Sequence, residues 1–157
     1  MDKNGKIVIV PKYYNAYRFT EGIARVEPFE VILSKAIRVQ FIDKSGKLLP
    51  NSQIYSYAAP FSEGLALVVV AGERKYSYID TTGKRVIEQN QVDSPFKEGL
   101  AAVGNGHESG YIDKTGQTVI PLQFESNQSF NEGLAPVKVG TNGLAEIRVG
   151  KKKGLHR

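Results

Sequence analysis

The sequence predicts an all-β fold of tandem β-hairpins, on three observations. Two short phrases alternate along the chain, each is built around a turn glycine, and the stretches between them are rich in β-formers. The first phrase reads FTEGIA from Phe19, FSEGLA from Phe61, FKEGLA from Phe96 and FNEGLA from Phe130, at spacings of 42, 35 and 34 residues. The second reads FIDKSGK from Phe41, YIDTTGK from Tyr78 and YIDKTGQ from Tyr111, with a clipped MDKNGK at the start. The two alternate without exception.

Each phrase is a turn with a mechanism. In IDKSGK the aspartate accepts a hydrogen bond from the backbone two residues on, and glycine supplies the positive φ that closes a type I turn with a bulge. Gly46, Gly83 and Gly116 are therefore expected to be left-handed, and Asp43, Asp80 and Asp113 are turn residues first. In FxEGLA, Gly22, Gly64, Gly99 and Gly133 follow a polar pair and precede a β-rich run, which suits a tight turn into a strand.

Between the turns lie LALVVV, KYSYI and KRVI, short runs of β-branched and aromatic residues. No window of helical length holds an i, i+3, i+4, i+7 apolar pattern, so helix should be scarce. Two main hairpin strands per repeat follow, with room for a third short one. The segment 26–41 is longer than its counterpart and predicts a longer hairpin; the alternatives are a short helix over 30–38 and a binding lip. The last copy breaks down: NGLAEIRVG repeats EGLAPVKVG, and no aromatic-Ile-Asp turn arrives. The expected organisation is a repeat array over 1–139, with about four partial or complete copies, then a degenerate copy and basic tail over 140–157. Since the chain starts and stops within a copy, its ends are expected either to fray or to mark a fragment of a longer array, and the sequence leaves the two open. The architecture predicted is an elongated or superhelical stack of hairpins; a closed propeller-like arrangement is the alternative, disfavoured by the open ends.

Composition excludes several classes. An apolar content of 41% supports a sizeable core, and the longest apolar run, 65–71, falls far short of the roughly 20 residues that cross a bilayer as a helix. No signal peptide is expected from MDKNGKIVIVPK, and zero cysteines remove disulfides and thiol catalysis. The net charge of +5 is concentrated in the tail, where Lys151, Lys152, Lys153 and Arg157 lie without an acid. The remaining charges nearly balance, so nucleic acid is not the expected partner.

Chemistry is sparse. The recurring acids, Asp43, Asp80, Asp113 and Glu21, Glu63, Glu98, Glu132, always sit beside a turn glycine, which fits turn formation better than an acid–base pair. His107 and His156 bring no metal-ligand set, the GNG at 104–106 is a hairpin turn rather than a phosphate cradle, and calcium-loop oxygen spacing is missing. Ser109 lies two residues from His107, without a visible oxyanion hole. No catalytic, cofactor or metal residue is therefore assigned. The aromatics before FxEG fit the seam between stacked repeats; as a sharper alternative, Tyr13, Tyr17, Tyr55, Tyr57 and Tyr76 are candidates to stack on a ligand.

The paired phrases, FxEGLAxV followed by an aromatic and IDxxGKxVI, resemble the WG repeat, an all-β repeat of bacterial proteins named for a Trp-Gly pair ahead of the YID segment. The resemblance covers roughly 1–139. This chain has no Trp: the pair is replaced by Val39 and Gln40, by Tyr76 and Ser77, and by Ser109 and Gly110, while Lys153 and Gly154 resemble the end of a KWGY segment. The resemblance implies a module used in several copies, often without an assigned activity. The function expected is a non-catalytic protein-interaction or scaffold module of a larger bacterial protein, without cofactor or membrane-spanning helix. A carbohydrate or cell-wall module using exposed tyrosines is the alternative. The compartment stays open, with a bacterial cell-envelope or secreted setting in view.

Overall fold

The computed structural model describes residues 1–29, 36–92 and 94–140, and the backbone of 144–148. Residues 30–35 of the longer segment, with most of the helix alternative over 30–38, and the whole basic tail lie outside the described residues. The chain divides into two compact units, Met1–Asn90 and Gln91–Arg157.

Every described regular element is a strand, and each repeat folds into its own antiparallel sheet. In the first unit, β1 (Tyr13–Ala16), β2 (Ile23–Pro28) and β3 (Gln40–Asp43) form one sheet in that order. The second sheet is β4 (Tyr55–Ala58), β5 (Leu65–Val70), β6 (Tyr76–Asp80) and β7 (Arg85–Gln89). The second unit holds β8 (Gln91–Val92), β9 (Leu100–Gly104), β10 (Ser109–Asp113) and β11 (Thr118–Phe124), then β12 (Ser126–Asn127), β13 (Leu134–Lys138) and β14 (Leu144–Arg148). The chain is thus an all-β array of hairpin repeats with open-edged sheets, each of three or four strands rather than two or three. The degenerate last copy still adds β14 along β13, from Leu134 opposite Arg148 to Lys138 opposite Leu144.

The IDxxGK phrase follows the third strand of the first three sheets, and in the two four-stranded ones leads into the fourth, with the predicted chemistry. At Asp43, one carboxylate oxygen accepts the Ser45 amide (2.8 Å), the Ser45 hydroxyl (2.6 Å) and the Lys47 amide (3.1 Å). Asp80 does the same with Thr82 and Lys84, and Asp113 with Thr115 and Gln117. The glycines close these turns at φ of 82°, 85° and 83° for Gly46, Gly83 and Gly116.

These bonds give the turns a pH dependence. The hydroxyl of Ser45, helped by the Lys47 and Ser45 amides, holds the Asp43 carboxyl below its ordinary range. Burial alone would raise Asp80, but its bonds from Thr82 and Lys84 outweigh that and hold it low as well. A depressed folded pKa means that the contribution is complete above the unfolded value of about 3.9 and disappears as pH falls through the folded value. Urea midpoints are therefore expected to drop below about pH 4. Asp43→Asn and Asp80→Asn should each lower the midpoint at pH 7 and flatten the acid limb, since the titrating group is gone.

The FxEG phrase feeds the middle strand of every sheet, and its geometry goes beyond a generic tight turn. Both central residues have positive φ: Glu21 and Gly22 at 53° and 82°, Glu63 and Gly64 at 56° and 82°, Glu98 and Gly99 at 51° and 80°, Glu132 and Gly133 at 52° and 78°. Reciprocal backbone bonds close the turn, as between Thr20 and Ile23 at 2.9 and 3.0 Å. This is a type I′ turn, whose first central position ordinarily prefers Asn, Asp or Gly. A glutamate there costs about 1 kcal/mol of backbone strain, and all four copies accept it.

The cores are aromatic and local to each unit. In the first, Phe41 meets Tyr55 edge-on at 5.6 Å and Phe61 at 5.2 Å, within a cluster that includes Ile23, Val68 and Ile79. In the second, Tyr111 packs on Phe130 at 4.8 Å, with Phe124, Ala135 and Val137 around them, and its hydroxyl donates to the Gln128 carbonyl at 2.7 Å.

Candidate functional site

The phrase phenylalanine has two environments. Phe61, Phe96 and Phe130 are buried, at 4%, 0% and 2% exposure, whereas Phe19 is 41% exposed. Phe61 is covered by Phe41 of the preceding sheet and Phe130 by Tyr111 of its preceding sheet. No ring packs against Phe19 in this way among the described residues. Phe19 instead borders a cavity of about 320 Å³, lined also by Ile9, Tyr13, Tyr17, Ala24 and Ile42.

Two of the sequence-predicted tyrosines, Tyr13 and Tyr17, line it, and Tyr17 is held in place. The Tyr17 hydroxyl donates to Glu27 Oε1 at 2.7 Å, and the Arg25 guanidinium lies 4.6 Å from the ring centroid. The bond to Glu27 is the main reason that the Tyr17 phenol titrates above its usual range. Arg25 is itself anchored, donating Nη1 to the Ala58 carbonyl at 2.8 Å. Lys12 Nζ sits 5.4 Å from the Tyr13 ring. A ring fixed before binding loses less side-chain freedom when a partner lands on it.

The other candidates are placed elsewhere. Tyr55 is 1% exposed, its ring in the core against Phe41, and burial raises its phenol pKa. It offers no face to a ligand. Tyr57 is exposed at 48%, and Tyr76 is half-buried at the start of β6; neither lines the cavity beside Phe19. The structure thus brings Tyr13 and Tyr17 together and leaves Tyr55, Tyr57 and Tyr76 apart from them.

Sequence reasoning missed the glutamates. Glu21 accepts the Glu63 amide at 2.7 Å and the Gly64 amide at 2.8 Å, so its carboxylate bridges to the turn of the next repeat, 42 residues on. Glu98 accepts the Gly133 amide at 2.9 Å. The strained glutamate therefore has a use, since from that position its carboxylate spans the joint. The available signal was the glutamate itself, in a place where a type I′ turn favours Asn, Asp or Gly. Glu132→Gly is expected to stabilise the chain by about 0.5–1 kcal/mol, because it relieves strain without losing such a bridge. Glu21→Gly relieves the same strain but gives up two charge-assisted bonds, and should be destabilising by about 1 kcal/mol net. Paired urea denaturation curves of the two variants check the opposite signs.

The remaining cavities lack reactive geometry. One of about 270 Å³ in the second unit is bordered by His107, Ser109, Glu125 and Asn127. His107 lies in the hairpin turn, whose backbone is held by Asn105 Oδ1, and not on β10 with the buried Ser109, so the two do not share a strand face. Another of about 610 Å³ in the first unit runs past Ile37, Ile54 and Val70. Among the described residues, no group of three His, Cys, Asp or Glu side chains could hold a metal ion, and no helix is long and apolar enough to cross a membrane.

A family model, the WG containing repeat, matches residues 1–27, 41–73 and 110–140, more than half of the chain. No curated protein matches it.

Proposed function

The chain belongs to the WG repeat family, a repeat module not known for catalysis, and from that premise we propose that it is a non-catalytic protein-interaction module of a larger bacterial protein. Its binding face is the open side of the first repeat. The observation that supports this reading is the exposure of Phe19 at a position that the other three repeats bury. An apolar, aromatic basin with a polar rim is the composition of a protein-binding hot spot.

A photo-reactive phenylalanine analogue placed at position 19 tests the reading in extract of the native host. The expected result is one dominant protein adduct at position 19 and none from the same analogue at the exposed Val119 of the second unit. Equal labelling from both positions would count against it. A second reading, carbohydrate binding, is favoured by the locked Tyr17 ring. It predicts glycan-array binding that Tyr17→Ala abolishes, with no protein adduct at position 19.

A further inference from the structure

Phe19 and the Glu21–Gly22 turn are the receiving half of a joint that the chain completes elsewhere, once within each compact unit. In both complete joints, an aromatic ring on the third strand of one sheet covers the phrase phenylalanine of the following sheet: Phe41 on Phe61, and Tyr111 on Phe130. In both, a glutamate of the earlier turn accepts from the later one: Glu21 from the Glu63 and Gly64 amides, and Glu98 from the Gly133 amide. At the first repeat the receiving parts stand open. Phe19 is exposed, and the amides of Glu21 and Gly22 have no acceptor among the described residues. Two successive left-handed residues form a small cationic concavity suited to a carboxylate. Lys44 stands beside it, its Cε 3.8 Å from where a Cβ on Gly22 would lie, and adds positive charge.

We infer that this face receives a β-turn of another WG-type repeat, whose glutamate carboxylate binds the Glu21 and Gly22 amides and whose third-strand aromatic covers Phe19. The inference rests on the first-repeat face being a protein-binding surface, and it names the partner's chemistry. A second copy of this chain fits less well. Its last turn offers Glu132, but the position that Phe41 takes opposite Arg25, and Tyr111 opposite Ala102, is held by Glu146 opposite Pro136. The carboxylate is supplied there and the ring is not. The occupant is therefore a repeat that carries both.

The chain contains its own probe. Residues 61–78 comprise an FxEG phrase, the strand β5 and the first three residues of β6, up to the aromatic Tyr78, and MDKNGK at the start of the chain matches the IDTTGK that follows Tyr78. Fusing a copy of 61–78 directly ahead of Met1 supplies both the carboxylate and the ring. Amide hydrogen exchange is then read at Glu21 and Gly22, with Glu63 and Gly64 as internal standards. The expected result is fast exchange in the unmodified chain and slowing by at least about tenfold in the fusion, to the level of the standards. Replacing the glutamate of the added phrase by alanine should restore fast exchange while the added strands stay protected.

Three outcomes would overturn the inference. The added strands fold but Glu21 and Gly22 stay fast; the slowing persists without the added glutamate; or the added strands gain no protection of their own. Concentration-dependent slowing in the unmodified chain would also overturn it, by making a second copy the occupant. Failure here together with a specific adduct at position 19 removes the carboxylate-and-ring partner and leaves the interaction face intact. Success here without an adduct keeps the carboxylate-and-ring joint and removes a separate protein of the host extract as its occupant.

Discussion

Phe41→Ala is expected to lose about 3–5 kcal/mol of folding stability, enough to unfold the first unit at moderate urea concentration. The ring is 1% exposed and makes edge-on contacts with both Tyr55 and Phe61. Its removal leaves a cavity bordered by side chains of two different sheets, and their backbones are tied by ladders that resist collapse into the space. The effect should be confined at first. Amides of β3 to β5 should lose protection while those of β9 and β10 keep theirs, because the second unit has its own aromatic cluster around Tyr111. Phe41→Leu keeps most of the volume and is expected to cost about half as much or less. Equal losses for the two variants would show that Phe41 does not join the sheets by filling space.

Gly110→Ala should be nearly as damaging, for a different reason. Gly110 is not among the positive-φ residues, so backbone conformation does not demand glycine. Space does: an added Cβ would lie 2.5 Å from the Ile120 carbonyl oxygen and 2.8 Å from the carbonyl carbon and oxygen of Pro121. These are backbone atoms, and β11 has to move to admit the methyl group. The pairing shows why it lies so close. Ser109 faces Phe124 while Tyr111, two residues on, faces Ile120, so the residues of β11 between them bulge over Gly110. A loss of about 3 kcal/mol is expected, at the upper end of overpacking costs, with amides of β10 and β11 exposed first. Gly64→Ala is the control: it has open space but a φ of 82°, so its cost should be the conformational one of about 1–2 kcal/mol. Gly110 holds the place of the glycine in the Trp-Gly pair, and close approach of β11 is a physical reason for glycine there. At the matching place in the second sheet stands Ser77, opposite Glu88 in regular pairing.

What the sequence disclosed was set by the range over which each feature is decided. Gly46, Gly83 and Gly116 were legible because an aspartate, a hydroxyl and a glycine within five residues determine the whole turn. The role of Glu21 was not, since its carboxylate finds its partner 42 residues away and only the fold brings the two together. The tyrosines failed for a third reason. Tyr55 and Tyr57 are two apart, a spacing that puts side chains on one face of a regular strand. Here Tyr55 faces Val70 and Tyr57 faces Val69, so a bulge intervenes and sends one ring into the core and the other to solvent. The same irregularity separates Tyr13 from Asn15 on β1. A bulge leaves little trace in local composition, so exposed and buried aromatics could not be separated from the spacing.

The bridging glutamate also bears on how such chains change over generations. Each repeat carries both plug and socket, because the residue that reaches forward is part of the turn that is reached. A recombination event that inserts or deletes one whole copy therefore yields junctions that already match, whereas a cut elsewhere in the copy leaves a carboxylate facing no amide. The strained backbone at each of the four Glu-Gly pairs is the standing cost of giving one turn both roles.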